Sequence, residues 1–130
     1  MARRVLVVDD DPLSRELFKR ILRDANTEVA EASDGAEALA LLASGFFDLV
    51  VADLAMPSMS GMQLIRIVRR AGLATPFLVV SGSQSPVLDI WTREFALTAV
   101  LRKPVSTEAL REAAAKLLEV AHREAGNLPS

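Results

Sequence analysis

The stretch Val5-Leu6-Val7-Val8-Asp9-Asp10-Asp11-Pro12 decides the fold. Its four consecutive apolar residues have the unbroken run of a strand covered on both faces, as strands of a parallel sheet are. Acid then ends the run. Asp11 is suited to cap a helix, and Pro12 stands at a first helical position, where a missing N–H costs nothing. Leu13, Leu17, Phe18, Ile21 and Leu22 follow at helical spacing, with Arg15, Glu16, Lys19 and Arg20 on the other side. The segment therefore predicts a buried strand turning directly into an amphipathic helix.

The same unit recurs along the chain. Glu28 to Ala32 reads as a weaker strand, and Ser33-Asp34-Gly35 opens a helix whose apolar face is Ala38, Leu39, Leu41 and Leu42, stopped at Gly45. Asp48 to Ala52 is a third strand. After the turn Met56 to Gly61, Met62, Ile65 and Val68 define a third helix with Arg66, Arg69 and Arg70 outward. Pro76 leads into a fourth buried strand, Phe77 to Val80, which delivers Ser81 to its carboxyl end. Pro86 to Phe95 reads as a short fourth helix and Ala99 to Arg102 as a fifth strand. Ser106 caps a last, alanine-rich helix through about residue 123. Strands alternating with helices predict an α/β domain: a five-stranded parallel sheet, doubly wound as (βα)5, with right-handed crossovers placing helices on both faces.

The 130 residues, 51% of them hydrophobic, suit one domain, expected over 1–125 with a short tail at 126–130. A formal charge of −2 gives no basic excess and argues against direct nucleic-acid binding. With no cysteine and only His122, disulfides, thiolate chemistry and imidazole clusters are excluded. The run Val5 to Val8 is too short for a signal-peptide core. The apolar stretch Ala36 to Met59 contains Asp48 and Asp53, and a carboxylate at mid-bilayer costs roughly 2.5 to 3.5 kcal/mol, so membrane insertion is not expected.

Ligands of such sheets bind outside the carboxyl ends of the strands, where the strand order reverses. Asp9, Asp10, Asp53 and Lys103 all follow strands. If the first and third strands are neighbours, about 4.8 Å apart, Asp10 and Asp53 can share one small ion. Oxygen ligands without His or Cys suit Mg²⁺. Two carboxylates about 4 Å apart repel by about 4 kcal/mol at an effective dielectric near 20, so a fold does not gather them for stability. Replacing Asp10 or Asp53 by alanine is accordingly expected to stabilise the metal-free protein.

Val7-Val8-Asp9-Asp10, Asp53-Leu54-Ala55-Met56-Pro57, Gly61, Ser81-Gly82 and Lys103-Pro104 stand in an order and spacing that resembles the receiver domain of two-component response regulators, the CheY-like fold, from about Arg4 to Val120. The resemblance implies strand order 2-1-3-4-5. It implies that Asp53 is the phosphoacceptor, taking a phosphoryl group from a histidine kinase or phosphotransfer protein, and that the chain is a stoichiometric acceptor rather than an enzyme. Asp10 then ligates Mg²⁺ directly and Asp9 through water, with Asp53 and the Ala55 backbone carbonyl completing the set. Lys103 and Ser81 meet the phosphoryl oxygens, and the Lys103-Pro104 bond is cis. Output is expected as a contact with a protein target, or self-association, through the fourth helix, fifth strand and last helix, in the cytoplasm.

Asp11 is better read as the helix cap than as a ligand. The family often carries an aromatic residue three positions before the lysine, whose rotamer follows phosphorylation; Val100 stands there, and a switch relying on that ring is absent from this sequence. Gly82 replaces a small alanine, Ala96-Leu97 the usual Gly-Ala, and Val105 the usual Phe. Two other functions stay open on sequence: a receiver-like interaction module working without phosphorylation, and a haloacid-dehalogenase-type phosphohydrolase. The latter needs a second Asp two residues after the nucleophile, where Ala55 stands. The chain is either a whole protein or a receiver excised from a hybrid kinase or larger regulator.

Overall fold

Runs of β-branched residues pair with one another because their side chains favour an extended backbone, whose N–H and C=O groups can be met only by a neighbour. In the computed structural model, which describes residues 2–82 and 98–126 and the side chains of the last helix through 119, they form one parallel sheet. Its strands are β1 (Arg3–Val8), β2 (Thr27–Ala32), β3 (Leu49–Asp53), β4 (Phe77–Ser81) and β5 (Thr98–Arg102), in the order β2-β1-β3-β4-β5. The expected fold and order are observed. The order reverses between β1 and β3, which pair in register from Val5 with Leu49 to Val8 with Ala52.

The pleat sends alternate residues to opposite faces. Val5, Val7, Leu49, Val51, Leu78 and Val80 meet Phe18 and Leu22 of α1 (Pro12–Leu22) and Leu110 and Ala114 of the C-terminal helix, α4 (Thr107–Gly126). Leu6, Val8, Val50, Ala52, Phe77 and Val79 meet Ala38 and Leu42 of α2 (Gly35–Ser44) and Met62, Leu64, Ile65 and Val68 of α3 (Gly61–Arg70). Both faces of the central strands are thus buried, which is why their sequences show no polar alternation. Each fully buried aliphatic side chain contributes roughly 1.5–3 kcal/mol of transfer free energy.

The helices start where their caps dictate. Asp11 accepts from the Leu13 N–H at 3.2 Å, Asp34 from the Glu37 N–H at 2.8 Å, and the Ser106 hydroxyl from the Ala109 N–H at 3.0 Å. Ser60 and Gln63 form a reciprocal capping box at the start of α3. Among the described residues no helix is long and apolar enough to cross a membrane.

Several expectations are corrected. The apolar face assigned to α1 is wrong in its first half: Leu13 and Leu17 are 81% and 51% exposed. The inward stripe runs instead through Ser14, Arg15, Phe18 and Leu22, its first turn taken by polar residues that serve the β1–α1 loop. Arg69 does not point outward with Arg66 and Arg70. Its guanidinium lies over the Phe77 ring, 5.6 Å from the centroid, and donates to the carbonyls of Leu73 at 3.0 Å and Thr75 at 2.8 Å. The long side chain therefore staples the turn between α3 and β4, and burial lowers its pKa. β2 begins at Thr27, β5 at Thr98, β3 runs from Leu49 through Asp53, and α4 extends to Gly126. The helix expected at Pro86–Phe95 lies outside the described residues, as do Ser83, Ala96-Leu97 and the residues after Gly126.

Candidate functional site

Parallel register brings the ends of four strands to one level. Val8 lies opposite Ala52, so Asp9 leaves β1 beside Asp53, the last residue of β3. Asp53 lies opposite Val80, and Ser81, one residue on, ends β4 opposite Arg102, which precedes Lys103. Backbone hydrogen bonds tie these ends together: Asp9 N–H to the Ala32 carbonyl (3.1 Å), Leu54 N–H to Val80 (2.9 Å) and Lys103 N–H to Ser81 (2.8 Å). The positions follow from the strand lengths, so the site is a product of the sheet rather than of flexible loops.

Among the described residues the buried polar or charged side chains are Asp9, Asp53 and Ser81, and all three are here. Asp10 beside them is exposed. Carboxylate oxygens of Asp9, Asp10 and Asp53 lie within 4.8 Å of one another. Asp53 is oriented through both oxygens, Oδ1 accepting from the Ala55 N–H at 3.2 Å and Oδ2 from the Lys103 ammonium at 3.3 Å. Asp9 Oδ1 accepts from the Asp11 N–H at 2.9 Å, while its buried Oδ2 has no hydrogen-bond partner. A buried carboxylate oxygen without a donor costs free energy unless a cation meets it. Burial raises the Asp9 pKa, as do the charges of Asp53 and Asp10, against the Asp11 N–H and Lys103, which lower it. Three hard oxygens and an orphaned lone pair fit a small divalent cation.

The turn after Asp53 returns closely on the end of β3. Ser58 has φ 69°, a left-handed conformation that side chains resist. Gly61 begins α3 so close to the end of β3 that a Cβ there would stand 2.8 Å from the Asp53 carbonyl oxygen. Glycine is required by that approach. Ala55 lies exposed at the rim. The Lys103-Pro104 bond is cis, as the resemblance implies. Asp11 caps α1 and is not one of the clustered acids, in keeping with its reading as a cap. Val100 is half-buried against the core beneath α2 and α3.

One residue of the site was missed. Arg15, placed on the solvent side of α1 by periodicity, donates through Nη1 to the Asp9 backbone carbonyl at 2.8 Å and through Nε to Glu31 Oε1 at 3.2 Å. A signal was available: the first turn of a helix disfavours cations, so an arginine there needs a local acceptor.

The sheet order, the switch point and the acidic crevice define a flavodoxin-like, doubly wound domain with a charged site at its carboxyl edge. Residues 5–115 match the response regulator receiver domain family, and the chain belongs to it as a CheY-like receiver of two-component signalling. It is 35% identical over 119 residues to the chemotaxis protein CheY of Pseudomonas aeruginosa, covering 89% of this chain and 96% of that protein. It is 32% identical over 115 residues to a segment of the sensor histidine kinase RcsC of Salmonella typhi, covering 88% of this chain but only 12% of that protein. Among solved structures, the chemotaxis response regulator CheY4 of Vibrio cholerae superposes with a TM-score of 0.81 at 32% identity, over 90% of this chain and 99% of that one. A CheY-like receiver domain protein from Methanospirillum hungatei reaches 0.87 at 27% identity, over 95% and 99%.

Proposed function

We propose that this chain accepts a phosphoryl group on Asp53 from a phosphohistidine and uses the change to alter a protein contact. The single observation that carries the reading is the convergence of Asp9, Asp53 and Ser81, buried and polar, around an exposed Asp10 and the Lys103 ammonium. An Asp53 carboxylate oxygen attacks phosphorus, a P–O bond forms, and the P–N bond breaks with its electron pair leaving on the imidazole nitrogen. No general base is needed, because a carboxylate nucleophile has no proton to give up as it attacks. Lys103, partly exposed and anchored beside Ser81, can follow the negative charge from Asp53 to a phosphoryl oxygen, and the Ser81 hydroxyl supplies a second donor.

Asp9, Asp10, Asp53 and the Ala55 carbonyl would hold Mg²⁺, which would neutralise charge on the phosphoryl oxygens. The orphaned Asp9 Oδ2 supports that assignment. The reading makes the chain a stoichiometric acceptor over one domain, 1–125, acting in the cytoplasm on a histidine kinase or phosphotransfer protein. Its output surface is proposed as the face built by the segment Pro86–Phe95, β5 and α4, toward a target protein or a second copy.

Incubation with a small acyl phosphate, followed by intact mass measurement, tests this. The protein should gain one phosphoryl group with Mg²⁺ and none in chelator. Equal labelling in chelator, or none in either, counts against it.

A further inference from the structure

Asp9 and Asp10 are consecutive, so the peptide between them sets the direction in which each carboxylate leaves the chain. That peptide's oxygen is the Asp9 carbonyl, and the Arg15 guanidinium donates to it at 2.8 Å. Arg15 is itself held from the far side, through Nε to Glu31 Oε1 at 3.2 Å, while the Lys19 ammonium pairs with the other oxygen of Glu31. Glu31 lies in β2, one residue before Ala32, whose carbonyl accepts the Asp9 N–H at 3.1 Å. Both backbone groups of Asp9 are therefore fixed to the end of β2, one directly and one through Arg15. The Arg15 side chain is 16% exposed although it is charged, and its bond to the Asp9 carbonyl is partly buried, while Glu31 behind it is 42% exposed.

We propose that Arg15 is a positioning residue for the cation site: its fork locks the Asp9–Asp10 peptide so that the two carboxylates converge before any cation arrives. The proposal rests on the reading of that site as a Mg²⁺ site. An arginine suits the task because its planar guanidinium can bond the carbonyl and Glu31 at once, in fixed geometry; a lysine ammonium has no such fork. Outer-shell partners that orient metal ligands typically change affinity by 10- to 100-fold when removed.

Charge and positioning predict opposite signs. Arg15 is a cation near a cation site, so by charge alone its removal tightens Mg²⁺ binding. If it positions the ligands, its removal weakens binding. Amide NMR titration of the full chain with MgCl₂ alone separates the two. Parent protein should titrate at the Asp9, Asp10 and Asp53 amides. Arg15→Ala should bind about tenfold more weakly, and Arg15→Lys, which keeps the charge, should also weaken binding several-fold. In both, the Asp10 amide should already be shifted before Mg²⁺ is added. Unchanged or tighter binding in Arg15→Lys overturns the proposal, including where Arg15→Ala fails to fold. Failure of the parent to titrate at these amides overturns instead the reading of the site on which it rests.

Discussion

The Lys103 ammonium stands 3.3 Å from Asp53 Oδ2, a contact between residues 50 positions apart that exists only because β3 and β5 both end beside β4. Asp53 is nearly buried, while the lysine side chain is 37% exposed. An ion pair with one partner this open to water adds at most about 1 kcal/mol to stability. Its value for a developing phosphoryl charge is larger, since a single pre-placed donor commonly supplies 10²–10³-fold in rate.

Lys103→Met should therefore lower the melting temperature by no more than about 4 °C, yet slow phosphoryl uptake from a small donor by about a hundredfold. Thermal melts beside rates of mass gain check the disproportion. A large loss of stability with little change in rate would assign Lys103 a structural task instead.

Asp9 should be the acid most costly to the metal-free fold, since it is fully buried with one oxygen unpartnered. Burial raises its pKa above the ordinary 3.8, so the native state holds its proton more tightly than the unfolded chain does. The stability linked to that proton is complete below 3.8 and is lost as pH rises through the raised value. In chelator, Asp9→Asn should melt higher than the parent near pH 7, by several degrees, and this advantage should shrink toward pH 4. Asp10→Ala and Asp53→Ala should raise the melting temperature less, the first because Asp10 is exposed, the second because Lys103 loses its partner. An advantage of Asp9→Asn that grows on acidification contradicts this assignment.

Gly61→Ala should destabilise the protein by about 1–3 kcal/mol, although alanine is the better helix former, because its Cβ would press on the Asp53 carbonyl oxygen. A urea midpoint equal to or above the parent's would show that the turn yields freely. The same variant should weaken Mg²⁺ binding, since the displaced atom belongs to the acceptor residue.

The sheet was legible because parallel strands buried on both faces announce themselves as unbroken apolar runs; Val5 to Val8 and Phe77 to Val80 needed no further clue. Asp9, Asp10, Asp53, Ser81 and Lys103 were legible because each directly follows or ends such a run. The face of α1 was not. Leu13 and Leu17 imitate a core stripe, while the inward first turn is occupied by Ser14, which donates to Asp11 Oδ2 at 2.9 Å, and by Arg15. Hydrophobic periodicity cannot see an inward position spent on hydrogen bonds. Arg69 was misread for a related reason: its guanidinium turns in over the Phe77 ring and onto the Leu73 and Thr75 carbonyls, contacts that periodicity does not register.

The most direct measurement is the position of the covalent bond. Borohydride converts an acyl phosphate of aspartate to homoserine, so reduction of the phosphorylated protein followed by peptide sequencing locates the acceptor. Homoserine should appear at position 53 and nowhere else, and Asp53→Asn should yield none. Homoserine at position 9, 10 or 11, or undiminished labelling of Asp53→Asn, would contradict the assignment of Asp53 as phosphoacceptor.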